Sequence, residues 1–429
     1  MLQGGRSQNE RWKMDRTHSK IVAEAIISEA RRAGVVLWVE GGKLKYRAPE
    51  GAMTAELKGA IKQHREEVMD RLSKDKKIEP NPEDRWLPFP LTDIQSSYLL
   101  GRGVHVEGGG VSCHAYFEIP VDEANLMQLQ LALAKTVERH DALRTAFDES
   151  GYQQVSPFES VTVPSVLSGC GEAHGRGDLR ALMSHAIHDN RIPPLMSVGL
   201  SSDGGGPIVH VSVDFLVADW SGITRIIDDL ISYYKGQKPS LRVPEVTFRD
   251  YVLAAQSYDE GDKAKKDKEY WDGRLADFSE ACSAPLLDGK WGSRFTRLHF
   301  ELSESEWLSL ESLARSLSVS ASAVILAAYS RVIAEWSEFS NSPIVVTLFD
   351  RLPLHEDVPL IVGDFTSTGL VVVSQDGSLR SVAASAFSGL VAILSHRSYS
   401  GVRVMRGVTQ KYGVNSRRFP FVFTSAVSR

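Results

Sequence analysis

The stretch HVSVDFLVADWSGI, residues 210–223, constrains the fold more than any other part of the chain. His210, Val211, Ser212 and Val213 read as a half-buried strand. Asp214 opens a short loop, and Ile223, Ile226, Ile227 and Leu230 then recur at the spacing of an amphipathic helix. Ser221 is placed to cap that helix. A strand running through a short turn into a helix is one unit of the strand–helix alternation that, repeated along the chain, gives the expected α/β class. The turn carries two carboxylates, Asp214 and Asp219, in a D-x-x-x-x-D-x-S pattern. By residue type they are either structural anchors, which cap helices and pair with arginines, or part of a site.

The same alternation of strand and helix patterns extends from residue 113 onward. CHAYFEIP (113–120) reads as a strand, and a helix near residues 125–139 has the core stripe Leu126, Leu129, Leu133 and Val137. Helices over 307–317 and 322–336 precede a strand at 344–348. At 429 residues, 42% hydrophobic and 24% charged, the chain is long enough for more than one globular unit. A net charge of −5 gives no electrostatic reason to expect nucleic acid as a partner. Cys113, Cys170 and Cys282 lack any C-x-x-C or histidine pairing, so neither a metal site nor a disulfide framework is indicated, and all three are expected to be reduced and buried. No apolar run is long enough to span a bilayer, and the polar start MLQGGRSQNERWK lacks the core of a signal peptide, so no membrane partner and a cytoplasmic location are expected.

The domain reading is a disordered extension over 1–18, a small unit over 19–75, a polar linker over 76–86 and two larger units over 87–258 and 259–429. In the small unit Val22, Ile26, Ala30 and Ala33 line one helix face that ends at Gly34. Val35 to Val39 and Lys43 to Arg47 are two strands joined at Gly41-Gly42. Lys43, Lys45 and Arg47 share one strand face, with Leu44 and Tyr46 opposite. Thr54 caps a helix whose buried stripe is Leu57, Ile61, Val68 and Leu72. A basic strand face attracts an acidic partner; alternatively it protects an edge strand from aggregation.

Several segments resemble the heterocyclization domains of nonribosomal peptide synthetases, within the condensation-domain superfamily. DFLVADWSG is similar to their D-x-x-x-x-D-x-x-S signature, although strict spacing puts Gly222 at the serine position and Ser221 one place early. Aligned on Asp219 with the H-H-x-x-x-D-G motif of ordinary condensation domains, Asp214 and Phe215 replace the two histidines, and a phenyl ring transfers no proton. FPLTDIQSSYLLGR (89–102), RHDALR (139–144), SASAVILAAYSRVIAEW (320–336), TLFDRLPLH (347–355), GDFTS (363–367) and FPFVFTS (419–425) resemble further motifs of that family in the same order. The 19–75 unit resembles the αββαα docking domains at the N-termini of some synthetase subunits.

The resemblance implies two chloramphenicol-acetyltransferase-like lobes in a V, with a tunnel between them. It also implies a two-part reaction. The amine of a carrier-bound cysteine, serine or threonine attacks an acyl thioester on an upstream carrier; the side chain then adds to the new amide carbonyl, and loss of water gives a thiazoline or oxazoline. Phosphopantetheine arrives on the donor and acceptor carrier proteins, no cofactor or metal is bound directly, an adenylation domain is expected downstream, and the tail of an upstream subunit docks on the face of Lys43, Lys45 and Arg47. The family's supporting threonine carries over to Thr424. Asp214, Asp219 and Ser221 are the other candidate catalytic residues, with a structural ion pair between Asp219 and Arg351 as the alternative for that aspartate. Asp350 stands where the family has asparagine, Asp364 and Thr366 belong to a tunnel-shaping loop, and His140 is expected to pack. The segment that bears the family's catalytic aspartate is not in this sequence, and the second lobe is expected to be incomplete. Three readings follow: a heterocyclase, a condensation-only acyltransferase, and a noncatalytic module for docking and carrier binding.

Overall fold

The computed structural model describes Ala23, Ile26, Ile27, Glu29 and Ala30, and residues 35–40, 43–48, 52–74, 78–103, 109–169, 175–259, 261–279, 298–336, 342–413 and 419–426. The expected disordered extension over 1–18, and Val22, Ala33, Gly34, Gly41, Gly42, Cys170 and Cys282, to which the sequence reading gave roles, lie outside them.

The N-terminal unit places helical residues Ala23, Ile26, Ile27 and Ala30 against a hairpin of β1 (Val36–Glu40) and β2 (Lys43–Arg47), followed by α1 (Ala55–Gln63) and α2 (Arg65–Lys74). The strands pair antiparallel, with Glu40 opposite Lys43 and Trp38 opposite Lys45. Thr54 caps α1 by accepting from the Leu57 N–H at 3.1 Å. The single helix expected after Thr54 is broken at His64, so Leu57 and Val68 reach the small core from two helices. Lys43 and Lys45 are exposed, and so is Tyr46, which does not join Leu44 against that core.

The first lobe contains β3 (Phe89–Pro90), α3 (Asp93–Gly101), β4 (His114–Pro120), α4 (Leu126–Arg139), β5 (Thr145–Phe147), β6 (Tyr152–Val155), β7 (Leu167–Gly169), α5 (Arg176–Met183), β8 (Met196–Asp203), β9 (Gly206–Asp214), α6 (Trp220–Tyr234) and α7 (Phe248–Asp259). Its main sheet has the order β4-β9-β8-β7, antiparallel except for the parallel β7–β8 pair. Strand alternation sends Val209, Val211 and Val213 of β9 into the core, where α4 and α6 cover them with Leu129, Leu133, Ile223, Ile226 and Leu230. Each of these side chains is completely or almost completely buried, a gain of about 1.5–3 kcal/mol per large aliphatic residue.

The second lobe contains α8 (Asp262–Asp272), α9 (Glu304–Leu317), α10 (Ala321–Trp336), β10 (Pro343–Phe349), β11 (Thr366–Val372), α11 (Leu379–Ser395), α12 (Gly401–Tyr412) and β12 (Val422–Thr424). The strands lie in the order β11-β10-β12, with β12 parallel to β10 and Thr424 opposite Thr347. α11 packs so closely on β11 that a Cβ on Gly369 would stand 2.3 Å from Ile393 Cγ2. No single helix among the described residues is long and apolar enough to cross a membrane.

Residues 350–365, between β10 and β11, form the seam between the lobes. Leu352, Leu354, Val358, Ile361 and Phe365 pack with Phe89, Val155, Phe248 and Tyr251 in one apolar cluster. The expected polar linker is largely fixed to this seam: Ile78 is buried in the cluster and its N–H donates to Leu354 O at 3.2 Å. Arg85 anchors the next turn through Nε and Nη2 to Asp141, at 2.8 and 2.6 Å.

Candidate functional site

Both aspartates of the 210–223 stretch are completely buried, and each is held by an arginine from another element. Asp214 ends β9. Its Oδ2 accepts from Arg102 at the end of α3 and from Ser112 Oγ at 2.5 Å, and its Oδ1 accepts from the Leu216 N–H at 3.0 Å. Burial works against its ionisation. The approach of His188 and Arg102, with the hydrogen bonds from Ser112 and Leu216, outweighs burial and holds the carboxyl below the usual carboxylate range.

Asp219, rather than Ser221, is the N-cap of α6: its Oδ1 accepts from the Gly222 N–H at 2.7 Å, and Ser221 is an exposed residue of the first turn. The helical spacing points to Ser221 as the cap, but aspartate is an equally good one, and it starts the helix at Trp220. Arg351 Nη2 donates to Asp219 at 2.8 and 3.0 Å, while Nη1 donates to the carbonyls of Val358 and Ile361 at 2.9 and 2.8 Å. The guanidinium lies 3.9 Å over the Phe365 ring. The Asp219 N–H donates to Gly363 O at 3.0 Å, so backbone and side chain together tie the two lobes at this point.

A second tie lies at the start of α3. Asp93 accepts from Ser400 Oγ at 2.6 Å and pairs with Arg403 Nε at 2.8 Å, both from the N-terminal turn of α12. Thr92 and Gln95 form a capping box there and fix the orientation of the turn that carries Asp93.

Of the remaining predicted residues, Asp350, Asp364 and Thr366 lie in the seam or at its edge. Asp350 pairs with Arg397 Nη1 at 2.9 Å; burial raises its pKa and Arg397 opposes the shift. Asp364 is 0% exposed, and its Oδ1 accepts from the Thr366 N–H at 3.0 Å. Burial, joined by the charge of Asp219 and opposed by Thr366 and Arg351, pushes its carboxyl up to about 8. Thr424 is exposed on β12, and its hydroxyl donates to Thr347 Oγ1 at 2.9 Å. His140 is buried with Nε2 at 2.9 Å from Asp229 Oδ2, so it is a packing residue in an ion-pair network. Lys43 and Lys45 belong to the separate N-terminal unit.

Sequence reasoning assigned no role to Arg102, Ser112 and His188 around Asp214. His188 stands beside Asp214: its Nδ1 is 3.9 Å from Asp214 Oδ2, and its Nε2 lies 3.1 Å from Ser197 Oγ. Arg102 gave no sequence signal for this role, because a cation closing a helix is already favoured by the helix dipole without any carboxylate. Cys113, expected to be buried, is exposed, although it stands among packed groups; burial and the charge of Asp214 raise its thiol pKa. Among the described residues no cluster of His, Cys, Asp and Glu could hold a metal ion.

Residues 89–400 match the condensation-domain family, and residues 24–73 match the TubC N-terminal docking domain. The cyclization-docking bidomain of EpoB from Sorangium cellulosum superposes with a TM-score of 0.78 at 29% identity, over 95% of this chain and 84% of that one. Pyochelin synthetase PchF of Pseudomonas aeruginosa is 29% identical over 94% of this chain, and bacitracin synthase 1 of Bacillus licheniformis 32% identical over 81%. Phenyloxazoline synthase MbtB of Mycolicibacterium paratuberculosis is 28% identical over 81%. The chain spans only 23%, 7% and 30% of the lengths of these three proteins. The two-lobed α/β architecture, with its seam of buried aspartate–arginine ties behind a helix-hairpin-helix unit, belongs to the condensation-domain family, and this chain is a member of it that carries a TubC-type docking domain in front.

Proposed function

We propose that this chain is the heterocyclization unit of a nonribosomal peptide synthetase. It joins a carrier-bound acyl group to the amine of a carrier-bound cysteine, serine or threonine, and then closes and dehydrates the product to a thiazoline or oxazoline. The observation that carries this reading is the likeness, along 95% of the chain, to the EpoB cyclization-docking bidomain. The site chemistry supports it. Phe215 replaces the imidazole of ordinary condensation domains, and Asp214 and Asp219 are each committed to an arginine, so neither aspartate is free to act as a general base. Thr424 presents an exposed hydroxyl ordered by Thr347, suited to hydrogen-bonding an intermediate or passing a proton.

The decisive experiment is intact mass spectrometry of a loaded acceptor carrier after incubation with a loaded donor carrier and this protein. Product at the amide mass less one water is expected; amide without water loss would leave only a condensation catalyst, and unreacted donor with folded protein would overturn the reading. Thr424→Ala is expected to lower azoline relative to amide on the order of 10²-fold, the usual contribution of a placed proton-transfer group. Equal loss of both products would show that Thr424 has no ring-specific part.

The two carriers bring phosphopantetheine arms, and the remaining synthetase supplies the adenylation domain that loads the acceptor. On the N-terminal unit, exposed Lys43 and Lys45 form the face for an acidic tail from the upstream subunit, which adds to the hairpin. Reversing both charges, Lys43→Glu with Lys45→Glu, is expected to weaken tail binding about tenfold at low salt and less at high salt. A titration showing the same affinity as the unaltered protein would remove this docking face.

A further inference from the structure

Strands β10, β11 and β12 carry a row of threonines that packing does not require. Thr347 of β10 stands opposite Thr424 of β12 and opposite Thr368 of β11, so the three side chains are neighbours across the sheet. The row runs inward from the surface: Thr424 is exposed, Thr347 half-buried and Thr368 buried. Its neighbours along the strands include Val345, Val346 and Leu348 on β10 and Leu370 and Val371 on β11. Valine has the same β-branched shape and would fill each place without taking a hydroxyl from water. Thr368 Oγ1 is such a hydroxyl, buried with no hydrogen-bond partner among the described residues. α12 closes this inner end. A Cβ on Gly401 would stand 2.9 Å from Thr368 Oγ1, and Ser400 beside it donates to Asp93 of the first lobe.

The hydrogen bond at the outer end of the row has a direction. Thr424 Oγ1 donates to Thr347 Oγ1 at 2.9 Å, and this commits the single proton of the Thr424 hydroxyl inward. A threonine hydroxyl has one donor and two acceptor positions. What Thr424 offers on its exposed side, at the edge strand of the sheet, is therefore an oxygen that accepts. The bond also selects one side-chain rotamer of Thr424; in either of the others the methyl group or hydrogen would take the place of the oxygen.

We propose that Thr424 acts in ring closure as a hydrogen-bond acceptor for the ring-closed adduct, and that Thr347 is the positioning residue that aims it. The inference rests on the heterocyclization reading above and narrows the part of Thr424 within it. In the adduct the ring nitrogen still carries its proton and the former carbonyl carbon carries a hydroxyl. The two leave together as water when the C=N bond forms. An acceptor held at the N–H raises the electron density on nitrogen, which pushes out the hydroxyl, and an acceptor already fixed in place needs no reorganisation at that moment. Amide formation comes before the adduct and makes no use of this contact, so the row acts on the second product alone.

The test measures azoline and amide on the acceptor carrier by intact mass spectrometry. Thr347→Val keeps the shape and removes the partner of Thr424. It is expected to lower the azoline-to-amide ratio about tenfold, the effect of one neutral hydrogen bond, and to keep total amide formation within about twofold. Thr347→Ser retains the hydroxyl and is expected to hold the ratio within about threefold of the original. Thr347→Val combined with Thr424→Ala is expected to match Thr424→Ala alone, because Thr347 acts through Thr424. Thr368→Val, in the same row but without a bond to Thr424, is expected to leave the ratio unchanged. An unchanged ratio in Thr347→Val, an equal loss in Thr368→Val, or a further loss in the double variant would overturn the proposal. A readout without turnover is the set of three-bond couplings from the Thr424 methyl carbon, which report its side-chain rotamer. One rotamer is expected in the unaltered protein and in Thr347→Ser, and averaging in Thr347→Val; a single rotamer in Thr347→Val would remove the positioning role. If the unaltered protein makes amide but no azoline, the heterocyclization reading fails and takes this inference with it. Azoline from the unaltered protein with an unaffected Thr347→Val strikes the inference alone.

Discussion

Arg351→Met is expected to destabilise the protein by about 3–5 kcal/mol, the range for removing one partner of a buried ion pair. The side chain is 17% exposed and Asp219 is 0% exposed, so the carboxylate left behind has no water to replace the guanidinium. Three further contacts go with it: the hydrogen bonds to the Val358 and Ile361 carbonyls, and the stacking on Phe365. Methionine keeps most of the apolar stem, which isolates the lost charge from lost packing. The measurement is the urea midpoint of the purified protein. Asp219→Asn in the same background should recover much of the loss, because asparagine still caps α6 and leaves no buried charge. If the double variant is no more stable than Arg351→Met alone, the penalty comes from the carbonyl and aromatic contacts, and the ion pair is not what ties the seam.

That pairing is the structural alternative the sequence offered for Asp219, and it rested on the family resemblance rather than on local pattern. Asp219 and Arg351 are 132 positions apart, and nothing local joins them; a turn carboxylate with no neighbouring cation simply has to find one. The elements themselves were more legible. The Ile223, Ile226 and Leu230 stripe is the buried face of α6, and the alternating valines of β9 face the core, since periods of 3.6 and 2 are written in single segments. Caps were less so: Ser221 and Asp219 both satisfy the chemistry of an N-cap, and only the path of the backbone decides between them. The break at His64 has the same origin, because Leu57 and Val68 fit one helix by spacing yet sit on two.

Burial of polar groups was the least legible property. Cys113 was expected inside and is exposed. Residues 78–85 have the composition of a linker, yet Ile78 enters the seam cluster and Arg85 grips Asp141, because a single apolar residue in a charged stretch is enough to anchor it once a pocket exists. The lining of the candidate site was legible only in part. Asp214, Asp219, Asp364 and Arg351 were singled out, while Arg102 and Ser112 gained their meaning only when the fold brought them beside Asp214.

Asp364→Asn is expected to stabilise the protein increasingly as pH rises from 5 to 8, and then by a constant amount. An aspartate in the unfolded chain releases its proton near pH 4, whereas burial beside Asp219 holds the folded carboxyl's proton up to about 8. Between these values the folded state binds a proton that the unfolded state has lost. The native carboxyl's contribution is therefore complete below pH 4, declines by up to 1.36 kcal/mol per pH unit across the window, and reaches a floor above 8. The full decline is on the order of 5 kcal/mol, a large fraction of what a folded domain has available. Asparagine does not titrate, so the difference between the two proteins isolates this one group from every other ionisation that both share. The measurement is urea unfolding of each at pH 5, 6, 7, 8 and 9. A difference that does not change with pH would mean that Asp364 is already ionised in the folded state. It would then be a third carboxylate at the seam, which the committed Arg351 could not neutralise.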